Sequence, residues 1–268
     1  MVRCLRPRLC GALIADVTAT TDRLRCPVDL VRLREACRGR RIGSLRRRAK
    51  YIVVDLEDGP SVVLHLGMTG AFRIVPAVAP PTPYERVVWR LADGRSWRFL
   101  DVRRFGSVQV CERASAGADL EPLAGLGPEP LSPDFSGAYL HAQARGRDRP
   151  IKNLIMDQAI VVGVGNIYAS EALFRAGISP RRRSRALGRT AADRLAAAIR
   201  TVLGEAIAAG GTTIDDFRDV DGHEGRFAVN LSVYGRRGQD CPRCGLAGGI
   251  RRIVQAGRSS FYCPHCQR

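Results

Sequence analysis

Lysine is almost absent from this chain, since only Lys50 and Lys152 stand among its 43 basic residues. Long apolar runs are absent too, and none approaches the ~20 residues that a membrane-spanning helix needs. The N-terminus is interrupted by arginine and lacks the apolar core of a secretory signal peptide. We therefore expect a soluble, cytoplasmic protein with no membrane partner.

Acidic residues are few: 26 stand against 43 basic ones, which gives a formal net charge of +17 and a pI of about 10.5. An excess of this size predicts a polyanionic partner, either nucleic acid or an anionic membrane surface. With 268 residues and 45% hydrophobic content, the chain is long enough for one large domain or two to three small ones, each with its own core.

The two lysines are candidates for chemistry, because arginine neither exchanges a proton near neutral pH nor acts as an amine nucleophile. A GC-rich genome would produce the same bias towards arginine without selection on this protein. Chance survival of Lys50 and Lys152 therefore stays open as the alternative interpretation of the composition alone.

The C-terminal stretch carries the most specific pattern in the chain. Two Cys-x-x-Cys pairs are separated by eighteen residues, and the intervening segment has two strand-like halves joined through a Gly-rich turn. This spacing predicts one structural zinc ion (Zn2+) held by four thiolates, Cys241, Cys244, Cys263 and Cys266. Two disulfides or a redox pair are the alternatives. Five cysteines remain elsewhere, and an odd remainder favours a reducing compartment. Arginines through this finger predict contact with phosphate.

The N-terminal part reads as a short helix followed by β-structure. Residues 1–10 have apolar positions at helical spacing but no capping residue before them. From there to about residue 111, hairpin patterns with recognisable turns predict an antiparallel β-domain. The loops 65–70 and 101–106 place Met68 and Phe105 beside glycines, where each side chain either projects from the sheet or packs into the core.

A Pro- and Gly-rich passage at 126–133 marks a domain boundary. Helices are predicted over 151–160 and 167–176, joined by a Gly-rich turn, and over 191–209 with Thr190 as its cap. The turn and the second helix's N-terminus predict either a phosphate-binding device or a plain structural turn. The resulting class is a multidomain α+β fold, divided into residues 1–112, a linker at 113–134, a helical domain at 135–225 and the finger at 226–268.

Together these features resemble the formamidopyrimidine-DNA glycosylase family of bacterial repair enzymes. The resemblance rests on Gly163–Glu171, which reads GVGNIYASE, on Gly210–Thr213 and on the terminal four-cysteine finger. It implies an N-terminal β-sandwich, a helix-two-turn-helix domain and a β-hairpin zinc finger. It also implies a monomeric, nucleoid-associated enzyme that kinks damaged duplex DNA and flips out an oxidised purine such as 8-oxoguanine or a formamidopyrimidine. The enzyme then removes the base and cleaves the backbone by β,δ-elimination.

The resemblance also implies roles for individual residues. Met68, Arg103 and Phe105 match the wedge that fills the space left by the flipped base. Lys50 matches a lysine near the reacting sugar and its phosphate, and Arg258 matches a finger arginine that grips phosphates and takes part in the final elimination. The DNA-binding set is completed by Tyr84, which stands where relatives often have histidine, and by Lys152 and Asn166 at phosphate-contacting positions. The loop from Thr212 to about Glu224 corresponds to one that closes over the extruded base.

The chain departs from the family at its front. Relatives begin with a Pro-Glu-Leu-Pro-Glu-Val-Glu run whose N-terminal proline attacks the sugar and whose glutamate serves as acid and base. This sequence opens at Met1, inside the helix that should follow. Either translation begins upstream and the enzyme is of the usual type, or the chain is a catalytically silent or lyase-only protein that binds damaged DNA. A sequence-specific regulator is a third hypothesis, but the finger supplies no recognition helix.

Overall fold

The computed structural model describes residues 1–112, 120–210 and 231–268. Within them the chain forms two compact units, one of residues 1–112 and 120–124 and the other of residues 125–210 and 231–268. The division lies inside the predicted linker, and the predicted helical region and finger share the second unit. The predicted base-covering loop, Thr212 to Glu224, lies outside the described residues. None of the helices in the described ranges has the length and apolar character that a bilayer crossing needs.

The first unit contains two four-stranded antiparallel sheets. Their strand orders are β1-β6-β7-β5 and β2-β3-β4-β8. The strands are β1 (Ile14–Ala19), β2 (Ile42–Arg48), β3 (Tyr51–Leu56), β4 (Ser61–His65), β5 (Gly70–Pro76), β6 (Glu85–Leu91), β7 (Arg95–Asp101) and β8 (Ser107–Cys111). The two hairpins predicted from their turns, β3–β4 and β6–β7, are confirmed.

Alternating apolar residues from both sheets bury each other in one core. Trp89 and Trp97 are cross-strand partners with ring centroids 4.4 Å apart, and Phe72 packs beside Trp97. Leu45, Val54 and their neighbours on the other sheet belong to the same buried cluster. A sheet with one apolar face packs in this way against a second one. The predicted β-sandwich is therefore confirmed.

Two helices flank the sandwich. The predicted helix α1 (Val2–Leu9) buries Leu5 and Leu9 and has no side-chain cap. Helix α2 (Leu30–Cys37) corrects the expectation of uninterrupted β-structure in this region. It forms because the side chain of Asp29 accepts a hydrogen bond from the Arg32 amide and caps the first turn.

The second unit is helical, with the hairpin of the finger at its end. Its elements are α3 (Gly137–Ala144), α4 (Ile151–Ile155), α5 (Asn166–Ala176), α6 (Arg189–Ala208), β9 (Arg251–Gln255) and β10 (Arg258–Tyr262). Helices α4 and α5 and the Gly-rich turn between them form the predicted helix-turn-helix. The strands β9 and β10 pair antiparallel, as predicted for the finger.

Three details of the helical prediction are wrong. Helix α4 ends at Ile155 because the next residues turn to bond elsewhere: the Gln158 carbonyl accepts from the Gly127 amide at 2.8 Å. Helix α6 begins at Arg189, and Thr190 is not its cap, since Gly188 holds that position without a side-chain bond. Ile207, predicted on the buried stripe of α6, is 47% exposed.

Candidate nucleic-acid interface and zinc site

The four finger cysteines converge on one point. Their Sγ atoms all lie within 4.8 Å of one another, and the Cys241–Cys266 and Cys244–Cys263 pairs are 3.8 Å apart. A disulfide has its sulfurs about 2 Å apart. A tetrahedral zinc with Zn–S bonds of ~2.3 Å separates its ligands by ~3.8 Å. The arrangement therefore fits zinc and excludes the two alternatives of paired disulfides.

The finger is fastened to α5 by a buried carboxylate. Glu171 is 1% exposed and accepts hydrogen bonds of 2.9 Å from the amides of Ser232, Val233 and Tyr234, the segment that leads into the finger. Arg243 of the finger stacks on the Phe174 ring, 4.4 Å from its centroid. The charged finger is thus held rigidly against the helix-turn-helix.

Lys152 lies underneath this junction. Its side chain is buried, and its ammonium donates to Asn166 Oδ1 (2.5 Å), the Ser259 carbonyl (2.9 Å) and Ser260 Oγ (2.6 Å). Burial, followed by the charge of Arg258, lowers the pKa of Lys152 to about 8. An ammonium has three N–H donors, so all three are used within the protein.

Asn166 and Arg258 are brought together above Lys152. Asn166 is the first residue of α5, where the helix dipole is positive, and its Nδ2 donates to the Tyr234 hydroxyl at 3.3 Å. Arg258 is exposed at the start of β10 and lines a shallow pocket with Asn153 and Gln255. This cluster of Lys152, Asn166 and Arg258 presents positive charge on a fixed scaffold and fits a phosphate.

In the first unit, the two Gly-rich loops form an exposed ridge. Met68 is 66% exposed and Phe105 45% exposed, so neither is a core residue. The Arg103 guanidinium lies over the Phe105 ring, 4.7 Å from its centroid. The loops touch backbone to backbone: a Cβ on Gly67, whose φ is +64°, would lie 2.5 Å from the Phe105 carbonyl carbon. We call Met68, Arg103 and Phe105 the wedge ridge.

Lys50 is exposed in the tight turn between β2 and β3, next to Ala49 at φ +54°. It acts on His65, which is paired with Tyr51 across the strands. Burial, followed by the charges of Arg25 and Lys50, lowers the pKa of His65 to about 4. The imidazole is therefore neutral near pH 7. Its Nδ1 accepts from the Gly67 amide at 2.9 Å, which leaves the proton on Nε2.

Tyr84 is displayed by a strained backbone. Its φ is +69°, its side chain is 52% exposed, and the Arg86 guanidinium lies 5.7 Å from its ring centroid. The next residue, Glu85, forms a buried ion pair with Arg98 at 2.6 Å. Arg98 also donates to the Pro80 and Ala79 carbonyls, which fixes the loop that carries Tyr84.

Comparison with known proteins places this geometry in a family. The family model described as "Formamidopyrimidine-DNA glycosylase N-terminal domain" matches residues 1–108, and "Formamidopyrimidine-DNA glycosylase H2TH domain" matches residues 126–218. The formamidopyrimidine-DNA glycosylase of Magnetococcus marinus is 45% identical over 266 residues, covering 99% of this chain and 96% of that protein. The chain belongs to the formamidopyrimidine-DNA glycosylase family. It is therefore a DNA glycosylase of base-excision repair, from a family that has glycosylase and AP-lyase activity.

Other members agree in extent and fold. The formamidopyrimidine-DNA glycosylase of Alkalilimnicola ehrlichii is 48% identical, with 99% of this chain and 96% of that protein covered. The crystal structure of the MutM (Fpg) protein from Thermus thermophilus superposes with a TM-score of 0.86 at 42% identity, covering 99% of this chain and 95% of that one. A Lactococcus lactis Fpg mutant in complex with DNA containing Fapy-dG gives a TM-score of 0.88 at 28% identity, covering 100% and 96%.

The family's finger is also present. Residues 238–268 match the model described as "Zinc finger found in FPG and IleRS". Together with the convergent sulfurs, this match identifies Cys241, Cys244, Cys263 and Cys266 as the ligands of one structural zinc.

The site residues predicted from the glycosylase resemblance fall into two groups. Met68, Tyr84, Arg103, Phe105 and the candidate catalytic Lys50 belong to the first unit, and Lys152, Asn166 and Arg258 to the second. The expected direct phosphate contact of Lys152 does not fit its burial, because its donors are already used. Its place is beneath Asn166 and the finger. The other assignments stay predictions.

Residues that organise the glycosylase site were missed from sequence. His65, Asp101 and Glu171 lie inside or beside the motifs GVGNIYASE, HLGMTG and DVRRFG. The signal was present for Asp101, which opens the second loop motif. A carboxylate beside arginines, however, reads equally well as a solvated surface residue, and only its burial separates the two cases.

Proposed function

We propose that the protein removes oxidised purines, such as 8-oxoguanine and formamidopyrimidines, from duplex DNA and then cleaves the abasic strand by β,δ-elimination. The wedge ridge is the observation that carries this proposal. Large side chains held out from a sheet by rigid loops lose hydration free energy in the unbound protein. They are suited to enter a base stack from which one nucleotide has been extruded.

The size of the effect is adequate. Full burial of a Met or Phe side chain contributes about 1.5–3 kcal/mol. Met68 and Phe105 are roughly half exposed, so burial of the exposed parts between bases contributes on the order of 2 kcal/mol in total. Unstacking one base costs a few kcal/mol, and less for a damaged base. The wedge would therefore offset a large share of the cost of flipping.

The remaining predicted residues would bind the bent duplex. Arg258 and Asn166 would hold phosphates at the junction of finger and helix, and Tyr84 would meet the backbone from the first unit. In keeping with this proposal, one relative of similar fold was crystallised with DNA containing an abasic site. We propose that the protein binds DNA as a monomer, since every predicted contact comes from one chain.

In the proposed chemistry an amine attacks C1′ of the sugar while the base leaves with a proton. Opening of the sugar ring then gives a Schiff base. Loss of a C2′ proton from this intermediate breaks the C3′–O bond, and the δ-step breaks the C5′–O bond. The family's nucleophile is an N-terminal proline. Within this chain we assign Lys50 to the neighbourhood of the reacting sugar and Arg258 to the final elimination.

Borohydride trapping tests the proposal. The protein carrying the in-frame residues encoded upstream of Met1 would be incubated with duplexes containing 8-oxoguanine, an abasic site or no damage, and the chain as printed would be tested beside it. A covalent adduct with the 8-oxoguanine duplex is expected. Adducts with the abasic duplex alone would support the lyase-only alternative, and no adduct from the extended protein would refute the glycosylase proposal.

A further inference from the structure

We infer that Asp101 is a positioning residue that joins the two loops of the wedge ridge into one mechanical unit. This inference rests on the proposed function, because it concerns how the wedge enters DNA. Asp101 is the last residue of β7 and its side chain is 0% exposed.

The Asp101 carboxylate bonds one loop with each oxygen. Its Oδ1 accepts from Thr69 Oγ1 at 2.5 Å, and its Oδ2 accepts from the Gly106 amide at 2.7 Å. Thr69 directly follows Met68, and Gly106 directly follows Phe105. The carboxylate therefore bridges the two backbone positions next to the two projecting side chains.

A further bond closes the linkage from the Thr69 side. Thr69 Oγ1 accepts from the Arg103 amide at 3.1 Å while its proton is donated to Asp101. The threonine hydroxyl thus uses both its donor and an acceptor between the loops. The Met68 loop is held to Arg103 and to Asp101 at once.

Close packing makes the linkage stiff. A Cβ on Gly106 would lie 2.7 Å from the His65 carbonyl oxygen and 3.0 Å from Asp101 Oδ2. The two loop backbones therefore leave no room to slide past each other without breaking the carboxylate's bonds. A buried carboxylate is costly unless its hydrogen bonds are made, so this arrangement is strongly preferred over a parted one.

The main chain of Asp101 reaches a third predicted DNA contact. Its amide donates to the Tyr84 carbonyl at 3.0 Å, and its carbonyl accepts from Arg86 Nε at 2.8 Å. Tyr84 is the residue at positive φ, and Arg86 is the cation over its ring. One buried residue thus sets the relative positions of Met68, Phe105 and Tyr84.

The inference predicts thermodynamic coupling between Met68 and Phe105. If the loops enter the duplex together, loss of either side chain disables much of the wedge, and the second loss adds little. The double variant Met68→Ala/Phe105→Ala should then bind an abasic-analogue duplex at least about threefold more tightly than the product of the single effects implies.

Thr69→Val removes the hydroxyl that links the loops, while Thr69→Ser keeps it. The test measures the Met68/Phe105 coupling in wild type and in both backgrounds, with a fluorescent base analogue opposite the lesion to report flipping. Coupling should fall to about onefold in Thr69→Val and persist in Thr69→Ser. Thr201→Val, in α6, is the matched control at a distant site, where the hydroxyl bonds only its own helix. Thermal melting and binding to undamaged duplex verify that each variant is folded.

The outcomes separate the inference from the proposed function. A wild-type protein with no preference for damaged over undamaged duplex refutes the proposed function and the wedge with it. A wild-type protein that shows the preference, but whose coupling is unchanged in Thr69→Val, refutes the role of Asp101 alone. Asp101→Asn provides a second measurement, because its amide cannot accept the Thr69 proton, and it should lose the coupling as Thr69→Val does.

Discussion

Lys152 gives the protein a pH-dependent DNA contact that its sequence alone would not suggest. The buried ammonium holds Asn166 and the finger strand with three hydrogen bonds, and its pKa is lowered to about 8. On deprotonation the amine keeps two N–H donors for three acceptors, and the positive charge beneath Arg258 is lost. We therefore expect DNA affinity to fall as the pH rises through 8.

The magnitude follows from the pKa. Between pH 7 and pH 9 the protonated fraction of a group with a pKa of about 8 falls from about 90% to about 10%. If only the protonated form holds Asn166 and the finger in place for DNA, the apparent Kd rises about tenfold, or ~1.4 kcal/mol. Stability should move in the opposite direction. The folded-state pKa lies below the ordinary 10.5, so between pH 8 and 10.5 the unfolded chain holds more protons and stability rises with pH, by at most about 3 kcal/mol.

Fluorescence anisotropy with an abasic-analogue duplex, measured from pH 7 to 9.5 at constant salt, provides the assay. Lys152→Met should bind more weakly and show no inflection near pH 8. Lys50→Met, the other lysine of the chain, should bind more weakly but keep the inflection. The α-amino group titrates in the same window, near 7.7–8.0. An inflection that survives in Lys152→Met would therefore assign the effect to the terminus and refute the reasoning.

Three further predictions concern the scaffold. Cys263→Ser should release zinc, measured with a chromogenic chelator, and should abolish DNA binding because the finger's few buried apolar residues do not hold it together without metal; tight binding without zinc would contradict this. Glu85→Gln should cost about 3–5 kcal/mol in a denaturant titration, since it leaves the buried Arg98 charge without its anionic partner; Glu121→Gln, at a half-exposed or exposed surface position, is the matched control and should change stability by less than ~0.5 kcal/mol. Arg258→Ala should weaken binding to every duplex and reduce the salt slope by about one, and an unchanged slope would remove this arginine from the phosphate contacts.

Much of the fold could be predicted because its signals are local. The β3–β4 and β6–β7 hairpins follow from alternating apolar residues around Gly-containing turns, and the finger follows from cysteine spacing. Helix α2 was missed because its apolar positions are interrupted by arginines. Its stability comes from the Asp29 cap and from Leu33 and Cys37 packing on the sandwich. These contributions depend on tertiary structure and leave only a weak periodic signal.

The end of α4 was mispredicted for a related reason. Residues 156–160 are helix formers with no proline or glycine among them, so their sequence favours continuation. Long-range bonds win instead, as the Gln158 carbonyl takes the Gly127 amide and the Ile160 carbonyl takes the Tyr139 hydroxyl. A partner more than twenty residues away is invisible to a local pattern, and here it decides where the helix stops.

The two lysines show most clearly what composition can and cannot supply. Their scarcity identified both as candidates, but burial decides what each one can do. Lys50 is exposed in a turn and can approach a sugar, whereas Lys152 is enclosed by three acceptors and acts through Asn166 and the finger. A lysine in contact with solvent and a lysine under a hairpin look the same in a sequence. The difference lies in the long-range contacts of Ser259 and Ser260 with α4, which form only when the finger folds onto the helices. The chemistry of this site is therefore specified by the packing of the zinc finger as much as by the residues of the site.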